Sequence, residues 1–409
     1  MRVLVVTPYL PAPPVTGGRR RIHALVSRLS RTHDVTVVSF VGPNGEAEAV
    51  AATSQIAAHV VTVPNRYASA TGWRKRLTQV RSLLARGSFV RLTLHTAAMQ
   101  QAIDVLARQQ SFDLVLVEFA QMAGYAFPTG GPVVLDEHNV EYDILRRSSV
   151  GERGLIRRIF NHVEYLKLRA EERRAWSRVD GCLFTSERDQ RLARAAGCDV
   201  PTAVVPNGVD VAEFAPEDHR GRADILFFGA DFFPNADALR FYADEVFPEV
   251  RRQRPSTRLV VVGGCASALA ERRRDGVELV GPVADLRAYI AGAAVVVAPL
   301  RIGGGTRLKI LEAMAMGRPV VATRIGAEGI DAAPGRELLI ADDAASLARE
   351  TLRLLRDPEL AETIGAAARE LVIRRYDWDQ SASQLQRFVR GLVGPRHAYA
   401  LVRGSERAS

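Results

Sequence analysis

The chain has 409 residues, of which 47% are hydrophobic and 25% are charged, and its formal net charge is +9. This length exceeds what one hydrophobic core usually supports, so we expect two domains of roughly 200 residues each. No apolar run approaches the roughly 20 residues that a membrane span requires, and the start of the chain is typical of a first strand and not of a signal peptide. We therefore expect a cytoplasmic protein. The three cysteines (Cys182, Cys198 and Cys265) follow no Cys-x-x-Cys spacing and favour neither a disulfide framework nor a zinc site.

The positive charge lies entirely in the first half of the chain. Residues 1–200 contain 27 Lys and Arg against 18 Asp and Glu, whereas residues 201–409 contain 28 of each. This asymmetry indicates that the first half meets an anionic partner, such as a phosphorylated acceptor or the acidic surface of a membrane. The alternative is a solvated basic surface without a specific partner. We expect no nucleic-acid partner.

Buried strands alternate with amphipathic helices through the first half. The predicted strands are Val3–Thr7, Val35–Phe40, Val60–Val63, Leu114–Glu118, Val133–Asp136 and Gly181–Thr185. Apolar residues at helical spacing mark the inner face of the first helix (Ile22, Leu25, Val26 and Leu29). This order predicts an α/β fold with a doubly wound parallel sheet.

A long arginine-rich stretch between Asp143 and Arg178 is predicted as one amphipathic helix with a basic outer face. Its inner face is predicted from five apolar positions (Leu155, Ile159, Val163, Leu166 and Ala170).

A polar segment around Val204–Asp210 marks the expected domain boundary, after which the alternation restarts. The predicted strands of the second half are Ile225–Gly229, Leu259–Val262, Val277–Val280, Val295–Ala298 and Pro319–Ala322, and a last amphipathic helix is predicted from Trp378 to Val393. We divide the chain into a first domain (1–203), a second domain (204–376), a helix (377–395) and a tail (396–409). Two such domains imply a cleft between the carboxyl ends of two parallel sheets.

The densest chemistry lies between the strand ending at Ala298 and the strand beginning at Pro319. Three glycines, Thr306, Arg307 and Lys309 precede a short helix that carries Glu312. Free backbone amides at a helix start favour an anion, and the two cations add charge that a neutral ligand would not need. Glu312 would accept hydrogen bonds from hydroxyl groups. The combination predicts a nucleotide-sugar site in which Gly304, Gly305 and Thr306 contribute backbone amides.

Two further groups follow strands of the first half. Gly17 and Gly18 open the first helix and would let the backbone approach a phosphate or an acceptor. They are equally consistent with close packing. His138 and Glu118 each follow or end a predicted core strand, which favours a functional position over a structural one for His138, while Glu118 is a candidate acceptor contact.

Four motifs in order resemble those of the retaining, two-Rossmann (GT-B) glycosyltransferases of the glycosyl-transferase group 1 family. They are Val-Pro-Asn-Gly-Val-Asp at 205–210, the strand ending at Gly229, Leu-Glu-Ala-Met-Ala at 311–315 and Pro-Val-Val-Ala-Thr at 319–323. The resemblance covers nearly the whole chain, including the closing helix, which in the family crosses back onto the first domain. It implies the GT-B fold and a nucleoside-diphosphate sugar, either UDP-, GDP- or dTDP-linked, bound mainly by the second domain. No other cofactor is implied.

The chain departs from the family at two places. Glu312 matches the second glutamate of the family's Glu-x7-Glu motif, which holds the donor ribose, but Gly304 replaces the first, which touches the transferred sugar. We expect the backbone amides of Gly304, Gly305 and Thr306 to substitute for that glutamate. Family members also commonly carry arginine and lysine at the positions of Ala230 and Asn235, near Gly229. We predict that Arg307 and Lys309 replace this lost pair, as in a subgroup with a Gly-Gly-Gly-Thr-Arg-Leu-Lys donor loop.

By the same resemblance, His138 takes the place of an active-site histidine near the sugar. The sequence Asp-Trp-Asp at 377–379 resembles a metal-binding motif of glycosyltransferases with a different fold, but an aspartate there would cap the last helix. We therefore predict no metal site, with catalysis by Arg307, Lys309, His138 and helix dipoles.

The resulting expectation is a retaining hexosyltransferase of polysaccharide or glycoconjugate biosynthesis. The acceptor would be a small molecule, a glycan or a lipid-linked intermediate, with peripheral membrane contact through the basic half. Two alternatives remain at this point: a nucleotide-sugar 2-epimerase of the same fold, and a non-catalytic sugar-nucleotide or glycan-binding protein.

Overall fold

The computed structural model describes residues 1–42, 45–65, 72–149, 154–217, 223–271 and 274–405. Contacts divide the chain into two compact units. The first unit comprises Met1–Val205 together with Ser381–Ser409, and the second comprises Pro206–Gln380. Residues 406–409 of the expected tail lie outside the described residues.

The first unit is built on a seven-stranded sheet. Its strands are β1 (Arg2–Thr7), β2 (Asp34–Val41), β3 (His59–Pro64), β4 (Leu114–Glu118), β5 (Val133–Glu137), β6 (Gly181–Phe184) and β7 (Thr202–Val204). They run parallel in the order β3-β2-β1-β4-β5-β6-β7. Apolar clusters cover both faces of the sheet, as expected for parallel strands made of nearly continuous hydrophobic runs. The six predicted strands are confirmed, and the short β7 was not predicted.

Nine described helices connect or cover these strands. They are α1 (Gly17–Leu29), α2 (Ala47–Ser54), α3 (Gly72–Leu84), α4 (Phe89–Leu94), α5 (Ala97–Gln109), a 3₁₀ turn (Ala120–Gly124), α6 (Glu141–Ser149), α7 (Leu155–Trp176) and α8 (Glu187–Ala195). The predicted inner face of α1 is confirmed, since its four apolar residues are buried.

The prediction of one helix between Asp143 and Arg178 was wrong, because the segment contains α6 and α7. The predicted inner face of α7 was also wrong: Ile159 is 55% exposed and Leu166 is 50% exposed. The buried face instead carries Glu164, Leu168, Glu172, Ala175 and Trp176. The two glutamates can be buried because each carboxylate accepts a hydrogen bond from a backbone N–H. The Phe89 N–H donates to Glu164 and the Glu141 N–H donates to Glu172, both at 2.7 Å.

The second unit is built on a six-stranded parallel sheet in the order β10-β9-β8-β11-β12-β13. Its strands are β8 (Ala223–Phe228), β9 (Leu259–Val262), β10 (Val277–Gly281), β11 (Ala293–Ala298), β12 (Val320–Ala322) and β13 (Leu339–Ile340). Its helices are α9 (Phe233–Phe241), a π turn (Tyr242–Val246), α10 (Phe247–Gln253), a 3₁₀ turn (Gly264–Leu269), α11 (Arg287–Ala291), α12 (Leu308–Ala315), α13 (Ala344–Arg356) and α14 (Pro358–Arg375). The five predicted strands are confirmed, and β13 was not predicted.

The last helix, α15 (Trp378–Ser405), packs against the sheet of the first unit. Leu385 and Val389 are buried there, and a Cβ on Gly181 would lie 2.7 Å from the ring of Phe388. The helix predicted from Trp378 to Val393 is present, and it continues past Pro395 to Ser405. A proline usually ends a helix, but the alanines and leucine that follow favour helix. Among the described residues, no helix combines the length and the apolar character needed to cross a bilayer.

Candidate functional site

Each sheet has a point where consecutive connections begin to run in opposite directions. In the first unit this point lies between β1 and β4, and in the second it lies between β8 and β11. In open α/β sheets, ligands bind outside the carboxyl ends of the strands at such a switch point. The predicted site residues fall into two groups that follow these strands, one in each unit.

In the second unit, the loop between β11 and α12 contains Gly304, Gly305, Thr306 and Arg307 of the predicted donor residues, and Lys309 and Glu312 follow on α12. Gly303 and Gly305 have φ of 134° and 72°, in a region that glycine enters without the steric cost of a Cβ. A Cβ on Gly303 would lie 2.1 Å from Nη2 of Arg307, so the guanidinium group packs directly against this glycine. The Thr306 hydroxyl donates to the carbonyl of Gly329 at 3.3 Å. The conformation of the glycines therefore sets the position of Arg307.

Lys309 is on α12, and its side chain reaches the carboxyl end of β8. Its Nζ donates a hydrogen bond to Oδ1 of Asn235 at 2.8 Å and lies 4.8 Å from the ring centroid of Phe227. A Cβ on Gly229 would come within 3.0 Å of the same nitrogen. Burial, together with the charge of Arg307, lowers the pKa of Lys309 to about 8. The structure thus brings Lys309 to the residue at which the family commonly carries a lysine.

Glu312 follows Lys309 by three residues on α12, so the two side chains lie on neighbouring positions of one helix face. Glu312 is 5% exposed, and its charge acts to raise the pKa of Lys309 against the effect of burial. Gly304 is partly buried and supplies only backbone at the position of the family's missing glutamate.

A second pair of glycines shapes the turn after β8. Gly263 has φ of 98°, and a Cβ there would lie 2.3 Å from the carbonyl oxygen of Gly229. A Cβ on Gly264 would lie 2.8 Å from the backbone nitrogen of Asp231. The Cys265 N–H donates to the Gly229 carbonyl at 3.1 Å. Only residues without a side chain allow the turns after β8 and β9 to approach this closely.

In the first unit, a buried ion pair joins α1 to the end of β5. Nε and Nη2 of Arg21 donate to the two carboxylate oxygens of Asp136 at 2.8 and 2.6 Å, and Nη1 donates to the carbonyl of Val205 at 2.8 Å. Neither side chain of the pair is exposed. The guanidinium group of Arg21 is thus committed to partners inside the first unit.

His138 and Glu118 lie beside this pair. Nε2 of His138 and Oε2 of Glu118 are 2.7 Å apart, and Asp136 lies 3.8 Å from the same histidine nitrogen. The ring of Phe119 packs on His138 with centroids 3.9 Å apart. Phe119 has φ of 70°, which is rare for a residue with a bulky side chain and frequent at functional positions. The predicted acceptor contact Glu118 is thus buried against the predicted catalytic histidine.

Burial dominates the electrostatics of this group. It lowers the pKa of His138 to about 4, so the imidazole is neutral at neutral pH, and it raises the pKa of Glu118 well above its usual range. Asp136 raises the pKa of Glu118 further, while Arg21 opposes that effect. Arg21 thus pairs with Asp136, while burial disfavours the charged forms of both Glu118 and His138.

The predicted glycines of α1 are placed by Tyr9. A Cβ on Gly18 would lie 2.1 Å from the Tyr9 hydroxyl, and Arg19 lies over the ring at 5.6 Å from its centroid. Gly17 is the first residue of α1, whose preceding Thr16 accepts a hydrogen bond from Arg19 N–H. Gly18 therefore has a packing role as well as any role toward a ligand.

Glu118, Asp136 and His138 form the one group, within the residues that the structure describes, that offers three metal ligands within 4.8 Å of one another. Both oxygens of Asp136 already accept hydrogen bonds from Arg21, which supplies a positive charge at this place. At the other candidate motif, the Asp377 carboxylate accepts a hydrogen bond from Asp379 N–H at 2.9 Å, as a residue that caps a helix does.

Comparisons with known proteins agree with the architecture. Residues 15–213 match the family model described as Glycosyltransferase Family 4, and residues 222–357 match the one described as Glycosyl transferases group 1. The structure resembles sucrose-phosphate synthase from Thermosynechococcus elongatus, with a TM-score of 0.71 and 18% identity over 96% of this chain and 99% of that chain. The two family models and the fold together identify the chain as a glycosyltransferase of GT-B fold.

Two relatives in sequence match different shares of this chain. An uncharacterized 44.6 kDa protein in the cps region of Klebsiella pneumoniae is 23% identical, over 92% of this chain and 96% of its own length. A GDP-mannose-dependent alpha-(1-6)-phosphatidylinositol monomannoside mannosyltransferase of Mycolicibacterium smegmatis is 28% identical, over 55% of this chain and 66% of its own length, just short of two thirds.

Sequence reasoning missed Arg21 and Asp136 as partners in this glycosyltransferase. They are 115 residues apart, so no local pattern joins them. The sequence did contain one signal: Asp136 places a carboxylate at the end of an otherwise apolar strand. A carboxylate that is buried with such a strand requires a partner.

The pKa of Lys309 predicts a pH dependence in this glycosyltransferase. As the pH rises through about 8, the ammonium group loses its proton, and a diphosphate bound at the predicted donor site would lose a positive partner. We expect the affinity for a nucleoside diphosphate to fall over this pH range. Because the bound anion itself stabilises the ammonium charge of Lys309, the fall should be centred at a somewhat higher pH than in the free protein. Lys309→Arg should remove this part of the pH dependence of the affinity, because a guanidinium group stays charged. Calorimetric titrations across the range test this, and identical profiles for both proteins would contradict it.

Proposed function

We propose that this chain transfers a sugar from a nucleoside-diphosphate sugar to an acceptor hydroxyl, with retention of the anomeric configuration and without a metal ion. The observation that carries the proposal is the position of Lys309, whose ammonium group lies 2.8 Å from Asn235 at the switch point of the second sheet. A cation at this point can neutralise a diphosphate leaving group. The donor loop then supplies the charge that Ala230 and Asn235 lack.

The proposed donor is held by three kinds of contact. Arg307 and Lys309 neutralise the diphosphate, and Glu312 accepts hydrogen bonds from the ribose. The backbone amides of Gly304, Gly305 and Thr306 take the place of the missing glutamate toward the sugar. The name of the mycobacterial mannosyltransferase, which specifies GDP-mannose, supports a nucleotide-sugar donor. A UDP-, GDP- or dTDP-sugar fits this account equally.

In the proposed mechanism, no protein carboxylate acts as nucleophile. The leaving phosphate oxygen removes the proton from the acceptor hydroxyl, which attacks on the face from which the phosphate departs, so configuration is retained. Arg307 and Lys309 stabilise the negative charge that develops on the diphosphate. His138, being neutral with a pKa of about 4, would orient the sugar by hydrogen bonding and not by charge. Glu118 fixes the ring of His138 through their 2.7 Å contact.

The stereochemical part of the proposal is tested by nuclear magnetic resonance of the first product formed. We expect the product to carry the same anomeric configuration as the donor, read from the coupling constant of its anomeric proton, and transfer to continue in excess chelator. An inverted product would refute retention. Loss of activity with chelator, restored by added manganese, would refute the metal-free mechanism.

The acceptor is proposed to meet the first unit, with peripheral contact to a membrane from the cytoplasmic side. An apolar stripe on α3, formed by Leu77, Val80 and Leu84, supports membrane contact: these side chains are 53%, 57% and 89% exposed. Exposed Arg76 and Arg81 flank the stripe. An exposed apolar face with basic neighbours matches the chemistry of an anionic lipid surface.

The epimerase and the non-catalytic binding protein receive no support from the comparisons. Both matching family models are of glycosyltransferases, and the mycobacterial relative is named as a transferase. Polysaccharide or glycoconjugate biosynthesis is the setting in which such a transferase acts.

A further inference from the structure

A cavity of about 310 Å³ lies in the first unit, outside the group around His138. Its walls come from the segment before and within α4, from the 3₁₀ turn after β4, and from the end of α7 and the residues that follow. The 3₁₀ turn begins two residues after Glu118, so one wall continues directly from the strand that carries the candidate acceptor residue. The size suits a small ligand or one part of a larger one.

Four arginines line the cavity: Arg86, Arg91, Arg174 and Arg178. The one carboxylate in the wall, Glu171, is already used, since it accepts hydrogen bonds from the backbone N–H of Ser88 at 2.7 Å and from its hydroxyl at 2.6 Å. Within the described parts of the chain, none of the four guanidinium groups forms an ion pair with a carboxylate. The cavity therefore has an excess of positive charge that the unit itself does not neutralise.

The remaining wall is made of small residues, among them Gly87 and Gly124. A Cβ on Gly87 would lie 3.1 Å from Cδ of Arg91, and one on Gly124 would lie 3.1 Å from its Nη1. The two glycines thus leave room for the Arg91 side chain to run between them along the wall. Clustered like charges oppose folding, so such a group is costly unless an anion uses it.

We propose that this cavity binds the phosphate or diphosphate group of a phosphate ester, and that this ester is the acceptor of the transferase. The second clause rests on the function proposed above, whereas the first does not. Guanidinium groups form paired, parallel hydrogen bonds with phosphate oxygens, and several of them balance a dianion better than a single carboxylate. Arg86 lies two residues after Leu84, the last residue of the apolar stripe on α3. An ester carried by a lipid could therefore contact both the stripe and the cavity.

The test measures the affinity of inorganic pyrophosphate by calorimetry in three variants. Arg91→Gln/Arg174→Gln removes charge from the cavity, Arg307→Gln/Lys309→Gln removes it from the donor loop, and Arg158→Gln is the matched control on the exposed start of α7. We expect the cavity variant to lose a site that the donor-loop variant and the control keep, with at least about tenfold weaker binding. The exposed Arg86→Gln should weaken the same site and keeps the test valid if the double variant fails to fold.

Retention of every pyrophosphate site in the cavity variants would overturn the proposal. Vesicles of phosphatidylcholine with and without phosphatidic acid identify the source of the ester. Capture by phosphatidic acid that is lost in the cavity variants assigns a lipid-borne phosphate, and pyrophosphate binding without capture assigns a free one. Unchanged nucleotide-sugar binding in the Arg307→Gln/Lys309→Gln variant would count against the proposed function and leave this site standing.

Discussion

Replacing Lys309 with alanine weakens the binding of a nucleoside diphosphate about 10- to 100-fold and leaves the binding of the corresponding nucleoside unchanged. The reason is geometric: Nζ of Lys309 lies at the switch point of the second sheet, 2.8 Å from Asn235, and no other lysine occurs in the donor loop. Removing the ammonium group deletes a charge from the diphosphate position and nothing from the base or ribose position. Isothermal titration calorimetry with both ligands measures the difference.

The matched control is Arg301→Ala. Arg301 belongs to the same loop, but its guanidinium group is paired with Asp237 at 2.7 Å and lies 4.5 Å from the ring centroid of Phe241. We expect this variant to bind the diphosphate with nearly unchanged affinity. An equal loss of diphosphate and nucleoside binding in Lys309→Ala would refute the assignment of Lys309 to the diphosphate.

Replacing Arg21 with methionine lowers the free energy of unfolding by about 3–5 kcal/mol, because it leaves the carboxylate of Asp136 buried without a partner. Both groups are fully buried, and three of the hydrogen bonds of Arg21 end within the first unit. Urea unfolding followed by circular dichroism measures the loss.

Two further variants separate the ion pair from general packing. Arg20→Met alters a partly exposed neighbour on α1 and should cost less than about 1 kcal/mol. Arg21→Met/Asp136→Leu removes both charges and should recover much of the stability that the single variant loses. A double variant no more stable than Arg21→Met alone would show that the pair acts through something other than charge compensation.

The sheets were the most predictable part of this protein. Strands such as β1 and β9 are short, continuous apolar runs bounded by polar or glycine residues, which local patterns identify. The two strands that were missed are short edge strands: β7 has three residues and β13 has two. At that length, pairing with a neighbour decides the structure, and periodicity carries no signal.

The orientation of α7 could not be read from its apolar residues. Its buried face includes Glu164 and Glu172, whose carboxylates accept hydrogen bonds from the backbone amides of Phe89 and Glu141. Those amides belong to distant segments of the chain. A hydrophobic pattern treats each glutamate as a surface residue and so selects the opposite face.

The donor loop was predictable as a charged, glycine-rich strand-to-helix connection, but its contacts were not. Lys309 and Asn235 are 74 residues apart, and only the order of β8 and β11 in the sheet brings them together. In the first unit the sequence predicted His138 and Glu118 separately, and the structure adds their contact and the Arg21–Asp136 pair behind them.

The most direct test of the account is the release of nucleoside diphosphate from a panel of UDP-, GDP- and dTDP-sugars by the wild-type protein and by Lys309→Ala. A preceding thermal-shift screen selects the donor, because a ligand that binds only the native state raises the melting temperature. We predict that the wild-type protein consumes one class of donor and that Lys309→Ala consumes it about 100-fold more slowly, as expected when a group that stabilises the leaving charge is removed. Equal rates for the two proteins would contradict the central claim.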